Sequence, residues 1–136
     1  MSKLLGIDFG TKRIGLAITD ELQVIASPWK TVEPQEFWLD ISKIITQEKI
    51  EAMIVGVAYH RDGSASETTL LQRAFIERLK KIFPMIPIHE IDERYTSKLA
   101  SHAIQQLKLG KKKRADKSIT DKISAAIILQ SYMDGQ

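Results

Sequence analysis

Lys3-Leu4-Leu5-Gly6-Ile7-Asp8-Phe9-Gly10-Thr11-Lys12-Arg13-Ile14-Gly15-Leu16-Ala17-Ile18-Thr19-Asp20 is the stretch on which the fold turns. Two runs of strand-forming residues, 3–9 and 13–20, flank the short glycine-containing turn Gly10-Thr11-Lys12 and predict a β-hairpin. A third apolar stretch starts at Val24, is interrupted by Pro28 and resumes through Trp29 to Val32. A proline suits an edge strand, where its missing backbone donor has no partner to disappoint. Three antiparallel strands therefore open the chain.

Beyond them the period changes. Pro34 suits the first turn of a helix, and Phe37, Ile41, Ile44 and Ile45 form one helical stripe. Ala52-Met53-Ile54-Val55-Gly56-Val57 is an unbroken apolar run, as expected of a parallel strand covered on both faces. Leu71, Phe75, Leu79 and Ile82 predict a second helix that Pro84 ends, and residues 86–91 predict a last strand. Thr96 or Ser97 can cap a helix reaching Gly110, and Ser118 or Thr120 opens a terminal helix. On that helix Ile119, Ile123, Ala126 and Ile127 share one stripe, with Asp121, Ala125 and Ile128 on a neighbouring one. Three antiparallel strands followed by alternating helices and strands predict an α/β fold: a five-stranded mixed sheet, the last two strands parallel, flanked by helices. That architecture is ribonuclease H-like.

Composition narrows the chemistry. The 136 residues suit a single domain spanning 1–136, since domains commonly run ~100–150 residues. No apolar run approaches the ~20 residues of a membrane helix, and the opening residues lack a signal peptide's apolar stretch, so a soluble, cytoplasmic protein is expected. The absence of cysteine excludes disulfides, thiolate zinc sites and cysteine nucleophiles. Any metal must be held by oxygen or imidazole, and His60, His89 and His102 lack zinc-ligand spacing. The net charge of +3 is mild, but Lys108, Lys111, Lys112, Lys113, Arg114 and Lys117 concentrate basic charge against the one acid Asp116. This segment is either a solvated loop or a grip on nucleic-acid phosphates, and its place just before the terminal helix favours the grip.

Three acidic positions stand out. Asp8 lies late in the first strand on the opposite parity from Leu5, Ile7 and Phe9, where a carboxylate is costly unless it bonds turn amides or holds a cation. Glu90, Asp92 and Glu93 lie at the carboxyl end of the last strand, where open α/β sheets place their sites. Asp92 and Glu93 cannot be separated by parity, because strand alternation lapses after Ile91. Asp121 sits in the first turn of the terminal helix, where the helix dipole alone favours an acid. Together the three can converge on one point as oxygen ligands for Mg²⁺ or Mn²⁺. Thr11, Lys12 and Arg13 adjoin Asp8 and could touch a phosphate; Arg94 could bind phosphate or orient the acids. Tyr59 and Tyr95 are candidates for stacking on bases, whereas Trp38, within a helical stripe, reads as packing.

The blocks Leu5 to Ala17, Ile54-Val55-Gly56, Asp62-Gly63-Ser64, Asp92-Glu93-Arg94-Tyr95-Thr96 and Lys117 to Leu129 together resemble the YqgF/RuvX family of bacterial Holliday-junction resolvases. The likeness spans nearly the whole chain. The first block also resembles the phosphate loop of the actin and sugar-kinase superfamily, which would imply an ATP-binding lobe. That alternative is disfavoured by length, because nucleotide there binds between two such lobes. The Asp-Glu-Arg-x-Thr block is far more specific. The resemblance implies a ribonuclease H-like fold similar to the RuvC resolvase. It implies a divalent-metal nuclease that resolves junctions or matures the 5′ end of the 16S ribosomal RNA precursor, leaving a 5′-phosphate and a 3′-hydroxyl. It further implies that Asp8, Glu93 and Asp121 are the catalytic, metal-binding carboxylates. Partners would be structured RNA or branched DNA, held by Thr11, Lys12, Arg94, Lys111, Lys112, Lys113 and Arg114. A nucleic-acid-binding assembly factor without catalysis is the rival. One departure from the family pattern is visible: its usual Gly-x-Pro is here Gly56-Val57-Ala58, which alters a loop rather than an acid.

Overall fold

The computed structural model describes residues 2–96 and 117–135. Within them the strands β1 (Lys3–Phe9), β2 (Ile14–Thr19), β3 (Ala26–Val32), β4 (Ile50–Val57) and β5 (Ile88–Asp92) form one sheet in the order β3-β2-β1-β4-β5. The β1–β2 and β2–β3 pairs are antiparallel, while β4 runs parallel to both β1 and β5. The expected mixed sheet is thus present, with β3 and Pro28 at one edge. The third strand begins later than predicted, at Ala26, because Val24 and Ile25 donate their amides to Asp20 Oδ1 and leave their side chains exposed. The predicted helix from Thr96 or Ser97 to Gly110, and the basic segment after it, lie outside the described residues.

Strand alternation sends Leu5, Ile7, Leu16, Met53 and Val55 to one face, under α1 (Pro34–Gln47) and α2 (Glu67–Ile82). Phe37, Trp38 and Phe75 cluster there with ring centroids 5.0–5.4 Å apart, so Trp38 is packing. The stripe of α2 differs from expectation. Thr69, Gln72, Phe75, Ile76 and Leu79 are its buried residues, whereas Leu71 and Ile82 are exposed. The helix is rotated toward two polar side chains because both find hydrogen-bond partners at the end of β4. Ser66 and Thr69 form a reciprocal capping box, and the Thr69 hydroxyl also donates to the Ala58 carbonyl.

The opposite face carries Leu4, Ala17, Ala52 and Ile54, covered by α3 (Lys117–Asp134) through Ala125, Ala126, Ile128 and Leu129. Small residues let this helix sit almost on the sheet backbone. A Cβ added at Gly15 would lie 2.1 Å from the Asp121 carbonyl oxygen, and one at Gly56 would lie 2.5 Å from Ile128 Cδ1 and 2.8 Å from Glu93 Oε1. At Gly15 the obstacle is backbone, so only a residue without a side chain fits; at Gly56 it is two side chains, which would have to shift. Helix α3 begins earlier than expected, so Asp121 lies one turn inside it rather than in its first turn.

Candidate active site

Asp8 shares its parity with Leu4 and Gly6 and therefore projects to the α3 face near the carboxyl end of β1. Its cross-strand partner is Gly15, the residue over which Asp121's turn of α3 rests. The backbone contact at Gly15 thus brings two carboxylates together across more than a hundred positions of chain. Glu93, in a 3-10 turn directly after β5, reaches the same face over Gly56 and shares a hydrogen bond with Asp8. Burial raises the pKa of Asp8 well above the usual carboxylate range, and the negative charges of Glu93 and Asp121 push the same way. Glu93 is raised as well, chiefly by burial, against the opposing hydrogen bonds from Gln72 and Asp8.

Asp92 points elsewhere. It accepts from the Arg94 amide at 2.9 Å and from the Arg94 guanidinium at 2.6 Å, and these bonds hold its carboxyl below its ordinary value. Of the two adjacent acids that parity leaves open, Glu93 is therefore the one beside Asp8. Arg94 also donates to the Arg61 carbonyl at 3.4 Å and lies against Gly63, whose φ of +89° only glycine adopts readily. The Asp62-Gly63-Ser64 turn, tightened by Ser64 bonding Asp62, thus leans on the Asp-Glu-Arg segment. Tyr59 carries the guanidinium groups of Arg73 and Arg94 near its ring, at 5.6 and 5.7 Å from the centroid. The Tyr95 side chain and residues Lys111, Lys112, Lys113 and Arg114 lie outside the described residues.

A cleft of about 230 Å³ opens beside these acids, lined by Asp8, Phe9, Asp121 and residues 10–13. Thr11 and Lys12 are exposed on its rim. Arg13 Nε donates to Asp121 Oδ2 at 2.8 Å, so the third acid is matched to an arginine rather than to its fellow carboxylates. Among the described residues no group of three acids or histidines closes to ion-holding distance. The donor chemistry nevertheless suits a hard cation, since Asp8 and Glu93 offer carboxyl oxygens to one another's neighbourhood. A larger cleft, about 390 Å³, lies at the other end of the parallel strands beside Glu51 and His89, away from this cluster.

Gln72 escapes a reading of the sequence. It is buried, accepts from the Ala58 amide at 2.7 Å and directs its Nε2 to Glu93 Oε2 at 3.5 Å. Its only signal was negative, a polar residue one place along from the apolar stripe assigned to Leu71.

Comparison with known proteins gives a consistent picture. A family model described as RuvX, Holliday junction resolvase, matches residues 2–135. Relatives named "Putative pre-16S rRNA nuclease" include one from Christiangramia forsetii, 40% identical over 133 residues and 98% of each chain. Another, from Porphyromonas gingivalis, is 41% identical over 135 residues, covering 98% of this chain and 97% of the relative. Among solved structures, Thermus thermophilus RuvC in complex with a Holliday junction substrate superposes with a TM-score of 0.56 at 15% identity, covering 98% of this chain and 96% of that one. The yeast mitochondrial Holliday junction resolvase gives 0.62 at 14% identity, covering 97% and 78%. At such identities the likeness establishes the fold, which is ribonuclease H-like as the order of elements predicts.

Proposed function

Since the chain belongs to the RuvX family, we propose that it is a divalent-metal-dependent endonuclease that hydrolyses phosphodiester bonds in nucleic acid. Its substrate is the 5′ precursor segment of 16S ribosomal RNA, the role in the names of its relatives, or a branched DNA junction, the role in the family's description. The observation that carries this reading is the carboxyl pair Asp8–Glu93, brought together at the carboxyl ends of the central strands, with Asp121 held over Gly15 beside Asp8 and acting on it through space. Like-charged groups held together against their own ionisation are poor structural elements and good cation ligands.

Asp8, Glu93 and Asp121 would hold Mg²⁺ or Mn²⁺. When bound, such an ion lowers the pKa of water and neutralises charge on the phosphodiester being cut. The chain's own part is placement. β1 and the turn after β5 fix two carboxylates against each other, and Arg13 restrains Asp121 on the cleft wall. Thr11, Lys12 and Arg94, with Lys111, Lys112, Lys113 and Arg114, would bind backbone phosphates, which orients a strand without reading its sequence. Hydrolysis would leave a 5′-phosphate and a 3′-hydroxyl.

The direct test incubates purified protein and its Asp8→Asn variant with precursor 16S RNA and with a four-way DNA junction, in Mn²⁺ and in EDTA. Cleavage of either substrate that needs both the metal and Asp8 is the expected result. Absence of cleavage in every combination would overturn the enzymatic reading. The Arg13–Asp121 ion pair and the open arrangement of the three acids favour a second reading, a nucleic-acid-binding assembly factor without catalysis. Under that reading, charge reversal from Lys111 to Arg114 abolishes function in cells while Asp121→Asn leaves it intact.

A further inference from the structure

Gln72 places a primary amide where an apolar side chain would pack, and it is only 2% exposed. A buried amide is costly unless its donors and acceptor find partners. The Ala58 N–H donates to Oε1 at 2.7 Å, and that bond fixes which end of the amide is which. With oxygen toward Ala58, the NH₂ group faces Glu93 Oε2 at 3.5 Å. The reversed rotamer would set donor against donor at Ala58 and oxygen against carboxylate oxygen at Glu93, so both neighbours exclude it. Helix α2 grips Ala58 a second time, through the Thr69 hydroxyl on its carbonyl. The direction of the amide is therefore set by a helix and a strand end.

We propose that Gln72 is a positioning residue: held by the Ala58 amide, it donates to Glu93 and keeps that carboxylate aimed at Asp8. The inference rests on reading Asp8 and Glu93 as an ion-holding pair. It requires a backbone N–H at position 58 as much as an amide at position 72. Gln72→Met keeps the length and removes the donor. Ala58→Pro, which sets the family's usual proline beside this chain's own Gln72, removes the N–H that anchors Oε1, whereas Ala58→Gly retains it.

Two readouts test this. The first is Mn²⁺ affinity, from the paramagnetic resonance of the free ion. Gln72→Met and Ala58→Pro should each weaken binding about tenfold or more, the usual effect of losing an outer partner of a metal ligand. Ala58→Gly should bind as the parent does, and the double variant no worse than the weaker single one, since both changes break one chain of contacts. The second readout needs no metal: the Gln72 side-chain amide resonance, identified by its loss in Gln72→Met, should move in Glu93→Gln and in Ala58→Pro. Parental Mn²⁺ affinity in Gln72→Met, or losses that simply add in the double variant, would overturn the proposal. If Gln72→Met does not fold, Ala58→Pro carries the same comparison with the side chain in place. Should the parent bind Mn²⁺ no better than Asp8→Asn, the ion-holding reading fails instead. The resonance then decides alone, and an unmoved signal in Glu93→Gln overturns the positioning role.

Discussion

Burial, then the charges of Glu93 and Asp121, act against ionisation of Asp8, and burial acts against that of Glu93. In the unfolded chain both groups titrate near an ordinary carboxyl pKa of about 4. The folded state therefore binds more protons above that pH, and stability falls as pH rises through the window up to the raised folded values. Replacing Asp8 by a neutral amide removes much of this penalty. Asp8→Asn should raise the Tm of the metal-free protein at pH 7 and flatten its decline between about pH 4 and 7. Thermal melts in EDTA across that range check it; a Tm unchanged or lowered at pH 7 would count against the electrostatic account. The side of the sheet that Asp8 faces was legible because a strand alternates with period two. The choice between Asp92 and Glu93 was not, because a 3-10 turn interrupts the alternation and only the Arg94 contacts send Asp92 away.

At the scale of elements, the site depends on how closely α3 lies on β2. A methyl group at Gly15 would meet backbone atoms of Asp121 and Lys122, which cannot swing aside as a flexible side chain can. Gly15→Ala should destabilise the fold by about 1–3 kcal/mol, the usual range for overpacking. It should also displace Asp121 from Asp8 in the molecules that still fold. Urea denaturation measures the first effect, and loss of cleavage by the folded fraction measures the second. Helix α2 shows where pattern reading stops. Its apolar residues fit a stripe through Leu71, yet Gln72 and Thr69 turn inward because the end of β4 offers a free amide and a free carbonyl at Ala58. Hydrophobicity registers what water rejects, not what a neighbouring backbone can satisfy. The strands and α1 were readable because apolar burial alone decides their orientation.

At the scale of the molecule, the basic segment from Lys108 to Lys117 would contribute mainly nonspecific affinity. Neutralising Lys111, Lys112, Lys113 and Arg114 should lower the slope of log K against log salt by roughly 3, taking ~0.7–0.9 per phosphate contact. Fluorescence titrations of labelled precursor RNA and a four-way junction at several salt concentrations would show it, and an unchanged slope would remove these residues from the interface. The succession of strands and helices among the described residues and the family blocks were legible in the sequence, since they depend on local patterns. Convergence of the acids was only a wager from sequence, because it depends on the docking of α3. That docking also fixes a sequence in time. Asp8 is synthesised before Asp121 by several seconds or more at ~5–20 residues per second, so the three acids can meet only after the last helix has been made.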